Sequence, residues 1–472
     1  MLRGVRGLIS KQSRSVVSVV TQTSFANPIQ ATPTAVKILA CSFSISTMSN
    51  GKKLQLADRL KGTEGNVWVE FGKLAAENQA TNLGQGFPDF MPPMYVVEAL
   101  QEAVSGKNVL LNQYTRSYGH PRLVNALAKT FSHLMDRKID AMNEVLVTVG
   151  AYGSLFCAVQ GLINPGDEAV IIEPFFDCYG PMVTVAGGTP KFVPLRPKIK
   201  PGDKVISSKD WILDPDELAA AFSDKTKLII LNTPNNPVGK MYSLEEMEMV
   251  ANLCKKHDAV CIADEVYEWL VYSDSQPHRK IATLPDMWER TITIGSAGKT
   301  FSVTGWKIGW AIAPANLMKC LNTMHQNCCY TCPTPIQEAV AIGFEHELSI
   351  IDNKKDCYFY NLAAELEPKR KVLAKSLQEA GMIPTIPEGG YFMMADTSNM
   401  KVDCEDGTDA PKDFKFVRWL CKNKKLAAIP PSAFYSKDHK HLAANMVRFC
   451  FIKKDETLES ASKIIHDWVA TM

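Results

Sequence analysis

The sequence predicts an α/β fold: helices flanking a mostly parallel sheet, with a smaller α+β unit behind it. Two observations predict it. From about residue 144 to 294, short apolar runs alternate with helix-length segments, the pattern of strands buried between covering helices. Beyond Pro335 the alternation stops, and long charged helical stretches lead into a mixed unit.

The elements follow in order. Leu56 to Glu77 is helical in parts and includes Trp68-Val-Glu-Phe71. Asn82-Leu-Gly-Gln-Gly-Phe-Pro-Asp-Phe-Met-Pro-Pro93 is a loop so rich in Gly and Pro that it suits close backbone approach to a ligand. Val96–Val104 has helical spacing, Asn112–Gly119 is an aromatic loop, and Pro121–Leu134 is a helix with proline at its start. Strands are expected over Glu144–Val149, Ala169–Glu173, Gly188–Pro194, Leu228–Asn232, Ala259–Ala263 and Thr291–Ile294. Helices fit at Gly153–Gly161, Tyr179–Ala186, Pro215–Ala221 and Leu244–His257. A helical region then runs through Gln337–Glu347 and Asp352–Gly381. The closing unit holds Thr385–Met394, a charged loop around Glu405–Lys412, a helix Phe414–Asn423, the segment Ala427–Pro431, a strand Met446–Ile452 and a helix Leu458–Thr471.

Composition narrows the function. With 46% hydrophobic and 22% charged residues, the 472-residue chain has ordinary globular composition and room for two domains. A net charge of +2 gives no footing for nucleic acid. The 13 cysteines are scattered and do not read as a disulfide framework. Cys328, Cys329 and Cys332 contain one C-x-x-C without a second pair at zinc spacing, so they read as buried small residues and no metal is expected. Val145 to Gly166 is uncharged, but glycines at 150 and 153, Gln160 and Asn164 make it a strand, a turn and a buried helix; no membrane span is expected.

The first acidic residue is Asp58, and the segment before it is rich in Ser, Thr, Val and Ala. Residues 1–47 are therefore expected to be a mitochondrial leader, with Met48 as an alternative start giving a cytoplasmic form. Removing Arg3, Arg6, Lys11, Arg14 and Lys37 takes the net charge from +2 to −3, so the slight basicity belongs to the leader.

In parallel sheets, ligands bind beyond the carboxyl ends of the strands. Here those ends read Gly150-Ala-Tyr152, Glu173-Pro-Phe-Phe176, Asn232-Thr-Pro-Asn-Asn-Pro237, Asp264-Glu-Val-Tyr267 and Ser296-Ala-Gly-Lys299. Lys299 ends a β-branched strand between glycines; burial there favours the neutral amine, a nucleophile able to form a Schiff base. Asp264 ends a buried strand and needs a cation, a role a protonated pyridine nitrogen fills. Tyr267 and Asn236 offer hydrogen bonds near the same ligand. Gly150-Ala-Tyr-Gly153 opens a helix, and its amides and dipole suit a phosphate. Lys307 is a second cation near Lys299, and Arg448 can clamp a carboxylate with both arms of its fork. A phosphate, a ring nitrogen, a phenolic oxygen, an aldehyde and a carboxylate together describe pyridoxal phosphate plus an amino acid.

A competing motif fails on spacing. Gly295-Ser-Ala-Gly-Lys-Thr300 looks like a phosphate-binding loop of nucleotide-binding proteins, but only two residues separate its glycines where that motif needs four.

From about Leu56 to the C-terminus the sequence resembles the fold-type I, class I aminotransferases. Asn232-Thr-Pro-Asn-Asn-Pro-Val-Gly, Asp264-Glu-Val-Tyr and Ser296-Ala-Gly-Lys-Thr-Phe-Ser-Val-Thr-Gly-Trp-Lys-Ile-Gly-Trp310 carry the resemblance. Asn82–Phe90, Asn112-Gln-Tyr-Thr115 and Glu173-Pro-Phe-Phe-Asp-Cys-Tyr179 point to the branch of kynurenine aminotransferases, glutamine transaminase K and cysteine-conjugate β-lyases.

The resemblance implies a seven-stranded-type sheet in a large domain at 93–343, an arm at 48–92 joining the small domain, and a small domain at 344–472. It implies that Lys299 carries the cofactor and serves as base, that Asp264 pairs with the ring nitrogen, and that Tyr267 and Asn236 hold the ring hydroxyl. Phe176 would stack on the ring. Ala151, Tyr152, Ser296 and Lys307 would hold the phosphate, and Tyr114 would reach the phosphate of a partner subunit in a homodimer with shared sites. Arg448, Asn236 and the backbone of Gly86 would bind the substrate carboxylate, with Trp68 and Tyr330 walling the side-chain pocket. Where relatives can carry His beside that last aromatic, this chain has Thr331. The expected activity is transfer of an amino group from kynurenine-like or aromatic amino acids, or glutamine, to a 2-oxo acid, giving kynurenic acid from kynurenine. The alternative is β-lyase cleavage of cysteine conjugates at the same site.

Overall fold

The main sheet contains every strand expected between residues 144 and 294. The computed structural model describes residues 55–200 and 202–471; the expected leader and the alternative start at Met48 lie outside the described residues. In chain order the elements are α1 (Val67–Glu77), β1 (Thr81–Asn82), α2 (Met94–Val104), α3 (Pro121–Met135), β2 (Val145–Val149), α4 (Gly150–Leu162), β3 (Glu168–Glu173), α5 (Tyr179–Val185) and β4 (Thr189–Pro197). Next come β5 (Ile206–Ser207), β6 (Trp211–Leu213), α6 (Pro215–Ala220), β7 (Thr226–Asn232), α7 (Leu244–Lys256), β8 (Val260–Asp264), β9 (Thr291–Ser296), α8 (Ala297–Thr300), β10 (Ile308–Ile312) and α9 (Ala315–Cys328). The chain closes with α10 (Thr334–Ser349), α11 (Tyr358–Glu379), β11 (Ile383–Ile386), β12 (Phe392–Asp396), α12 (Lys412–Lys424), β13 (Leu426–Ala427), β14 (Met446–Cys450) and α13 (Asp455–Val469).

The main sheet runs β2-β10-β9-β8-β7-β3-β4-β6. The central strands β9, β8, β7, β3 and β4 are parallel to their neighbours in that run. β10 lies antiparallel between β2 and β9, and the three-residue β6 adds an antiparallel edge to β4. Along β7, Leu228 and Ile230 face one apolar cluster and Ile229 and Leu231 the other. Each contributes about 1.5–3 kcal/mol by leaving water, and burial on both faces explains the unbroken apolar run.

Local signals set the helix starts. Asn66 caps α1 by accepting from the Trp68 and Val69 amides. Pro121 begins α3, and Ser243 with Glu246 closes a capping box on α7. The helix expected from Asp352 begins instead at Tyr358, because the Asn353 side chain donates to Asp356 and the Cys357 amide closes onto the Asn353 carbonyl, forming a turn.

Sequence reading did not place β10. Its Lys-Ile-Gly-Trp start reads as a glycine-punctuated motif. Gly309 is there because a Cβ would lie 2.3 Å from the Ala151 amide nitrogen. A smaller sheet, β14-β12-β11-β5, takes one short strand from the middle of the chain. Met394 of β12 lies opposite Arg448 of β14. β1 and β13 pair in parallel, which ties the Gly-Pro loop after β1 to the closing unit.

Candidate active site

The carboxyl ends of β3, β7, β8 and β9 open on a cavity of about 270 Å3. Trp68, Gly86, Ala151, Tyr152, Phe176, Asn236, Asp264, Tyr267, Ser296, Lys299, Lys307 and Arg448 all line it. Residues up to 380 positions apart in sequence therefore meet at one sheet edge. Tyr114 and Tyr330 do not line it. They are 83% and 51% exposed and pack edge to face against each other, with ring centroids 5.8 Å apart.

Lys299 sits on α8, the single turn that ends β9. Its Nζ donates to Tyr391 Oη at 2.6 Å, and Tyr391 Oη donates to the Gly86 carbonyl at 3.0 Å. Burial pulls the amine down to about 8, with Lys307 and Arg448 adding to the effect and Asp264 opposing it. A lysine so placed is half neutral near pH 8, where an exposed one stays charged.

Asp264 is 3% exposed at the end of β8. Tyr179 Oη donates to Oδ2 at 2.5 Å, and the Asn232 amide holds the Asp264 carbonyl at 2.9 Å. Burial pushes the carboxyl up to about 6, against the bond from Tyr179. The carboxylate has no ion-pair partner among the described residues. A cationic ring nitrogen in the cavity fits that need.

Arg448 is fully buried. Its Nη1 donates to Asn236 Oδ1 at 3.0 Å and its Nη2 to the Gly84 carbonyl at 2.9 Å, while Nε has no partner. The guanidinium lies 3.9 Å from the Phe392 ring centroid. Burial lowers its pKa to about 10. A buried guanidinium without a facing carboxylate is costly, and an incoming carboxylate offsets that cost. Asn236 is held in turn, its amide donating to Asn232 Oδ1 at 2.7 Å.

One end of the cavity combines helix backbone with two polar side chains. Gly150 begins the 13-residue α4 at φ +66°, and a Cβ on it would lie 3.3 Å from Lys307 Nζ. Lys307 itself stands at φ +54°. The start of α4, the Lys307 ammonium and the Ser296 hydroxyl converge as an anion cradle. Tyr152 meets Phe176 edge-on at 6.1 Å. Trp68 Nε1 donates to Asp177 Oδ2 at 2.6 Å, and that carboxyl is pushed up by burial.

Four participants were not singled out from sequence: Tyr179, Tyr391, Asn232 and Asp177. Tyr179 and Asp177 lie inside the quoted Glu173–Tyr179 stretch. Spacing gave no reason to prefer them to Phe176. Tyr391 follows Gly389-Gly390, and Gly390 at φ +73° is the sign of a turn delivering a side chain.

Residues 78–465 match the family Aminotransferase class I and II. The chain is 51% identical over 469 residues to mouse kynurenine–oxoglutarate transaminase 3, covering 99% of both. It is 51% identical over 420 residues to human kynurenine–oxoglutarate transaminase 1, covering 88% of this chain and 99% of the relative. Among solved structures, Bna3p of Saccharomyces cerevisiae superposes with a TM-score of 0.81 at 35% identity, over 89% of this chain and all of the other. YbdL of Escherichia coli, for which a methionine aminotransferase function is identified, superposes at 0.76 and 30%, over 88% of this chain and all of the other.

Proposed function

Because the chain belongs to the class I and II aminotransferases, we propose that it moves the amino group of kynurenine-like or aromatic amino acids, or of glutamine, to a 2-oxo acid with pyridoxal phosphate as cofactor. One observation carries the reading: Asp264, a buried carboxylate with no ion-pair partner among the described residues, and Arg448, a buried guanidinium likewise without one, line the same cavity as Lys299. The first complements a pyridinium and the second an amino acid's α-carboxylate.

Pyridoxal phosphate, when bound, supplies an aldehyde for the amino group and a ring that draws electrons from the substrate α-carbon. The chain does the rest. Lys299 Nζ takes the proton from Cα. Asp264 holds the ring nitrogen protonated, oriented by Tyr179. Tyr267 and Asn236 hold the ring hydroxyl, and Phe176 covers the ring. Ala151 and Tyr152 amides, Ser296 and Lys307 hold the phosphate. Arg448, Asn236 and the Gly86 backbone bind the α-carboxylate, and Trp68 walls the side-chain pocket. Tyr114 reaches the phosphate of a partner subunit in a homodimer with shared sites; the expectation that Tyr330 walls the same pocket as Trp68 has no support here, since Tyr330 packs on Tyr114 outside the cavity.

With kynurenine as donor, the oxo product closes on its own aniline nitrogen to kynurenic acid. The relatives' activity and the aromatic walls Trp68, Phe176 and Phe392 favour that substrate class. We place the boundaries at 48–92 for the arm, 93–343 for the large domain and 344–472 for the small one, with 1–47 directing the chain to the mitochondrial matrix and Met48 starting a cytoplasmic form. Among the described residues no helix is long and apolar enough to cross a membrane.

A panel of amino donors with 2-oxoglutarate tests the reading on purified protein. Kynurenic acid from kynurenine is expected. Absence of transfer from kynurenine, glutamine, phenylalanine and methionine alike overturns it. Pyruvate released from cysteine conjugates without amino transfer indicates the β-lyase instead.

A further inference from the structure

Outside the cavity, at the end of α9, a cluster of soft donors remains without a role. We propose that His325, Cys329 and Cys332 form a binding site for a divalent ion of the zinc class. The site does not depend on the amino-transfer reading, since none of the three residues lines the cavity.

The local chain brings the donors together. His325 and Cys329 are four apart, so they share a face of the last turn of α9. The chain then folds back. The amides of Cys329 and Tyr330 both bond the His325 carbonyl, at 2.9 and 3.0 Å, and the Thr331 amide bonds the Cys329 carbonyl at 2.9 Å. Tyr330 takes a left-handed φ of +69°, uncommon for a bulky residue, and this turn returns Cys332 toward His325. Their ligating atoms all lie within 4.8 Å of one another, and His325 Nε2 is 4.0 Å from Cys332 Sγ. Tetrahedral zinc, with bonds of about 2.3 Å to sulfur and about 2.0–2.1 Å to nitrogen, sets such atoms roughly 3.5–3.8 Å apart. Side-chain adjustments of under about 1 Å close that gap.

The donors have little else to do. His325 is 1% exposed, and its Nδ1 has no hydrogen-bond partner. Outside the trio, the thiols of Cys329 and Cys332 make long contacts of 3.7 Å, to the carbonyls of Thr331 and Val147. Two thiolates with one divalent cation and a neutral imidazole carry no net charge, so the complex can stay buried. No carboxylate belongs to the trio, which disfavours calcium and magnesium. Cys329 is partly exposed, and that gives an ion its way in.

The test is equilibrium dialysis of the full-chain holoenzyme against Zn2+, followed by metal counting, with Co2+ as a visible-absorbing substitute. One ion per chain is expected, with tetrahedral thiolate absorption in the Co2+ form. Cys329→Ser and His325→Gln should each weaken binding by more than about 10-fold, the least that loss of a metal's supporting contacts costs. Zn2+ should also shield Cys329 from alkylation in the unmutated protein, a measurement that needs no variant to fold. Sub-stoichiometric Zn2+ binding, binding unchanged in both variants, or alkylation of Cys329 at the same rate with and without Zn2+ would each overturn the site.

Discussion

Lys299 Nζ and Tyr391 Oη lie 2.6 Å apart, and the same hydroxyl donates to the Gly86 carbonyl at 3.0 Å. Tyr391 thereby ties the amine to the Gly-Pro loop, whose Gly86 lines the cavity. As an acceptor it favours the charged amine and fixes its direction. A hydrogen bond to a charged group contributes about 1.5–3 kcal/mol. Tyr391→Phe should therefore lower kcat/KM by about 10- to 100-fold and move the midpoint of Lys299 ionisation to lower pH. A loss of kcat/KM with an unmoved midpoint would mean that Tyr391 only packs.

Lys299 itself sets a pH dependence. Burial, with help from Lys307 and Arg448, brings the amine from 10.5 to about 8. The amine reacts when neutral, so reconstitution of the apoenzyme with pyridoxal phosphate should speed up as pH rises through about 8 and then level off. A rate that keeps climbing toward 10.5 would show an amine in ordinary solvent. Lys299→Ala and Lys299→Arg should abolish turnover, and residual transamination in either would sink the mechanism.

Asp264 couples stability to cofactor in opposite senses. Burial raises its carboxyl from 3.8 to about 6. Its protonated form is favoured in the folded apoenzyme, so the full stability is present below pH 3.8 and falls as pH rises through 6, by about 3 kcal/mol. Asp264→Asn removes that cost. The apo variant should melt higher than the apo parent at pH 7.5 and equally at pH 4. It should also retain pyridoxal phosphate more weakly and turn over far more slowly. A variant melting lower than the parent at pH 7.5 would mean that Asp264 is already compensated by Tyr179.

The sequence made the frame legible where a strand carries an unbroken apolar run. β2, β3, β4, β7, β8 and β9 were found because burial on both faces leaves that trace; the three-residue edge strand β6 is too short to leave one. β10 was not, because Gly309 answers to the Ala151 backbone across the sheet rather than to its own strand. The same logic divides the site. Asp264 and Lys299 stand at strand ends, where polarity after an apolar run is conspicuous. Tyr179 and Tyr391 act through bonds to residues 85 and 92 positions away, and one aromatic among many carries no such mark. The grouping of His325 with Cys329 and Cys332 depends on the left-handed Tyr330, which no zinc spacing encodes.

Arg448 is set for a carboxylate by its neighbours. Its guanidinium is oriented by Asn236 and the Gly84 carbonyl and sits over Phe392, so it is held before any ligand arrives. An α-carboxylate is common to the amino donor and the oxo acid, and Arg448 should bind both alike. Arg448→Ala should raise KM for both substrates by about 10- to 100-fold, the range for one charge-assisted pair, with a smaller effect on kcat. Arg448→Lys keeps the charge but loses the fork, so it should recover only part of the affinity. Full recovery by lysine would mean that charge alone matters. A change confined to kcat, or to one of the two substrates, would show that Arg448 does not hold the shared carboxylate.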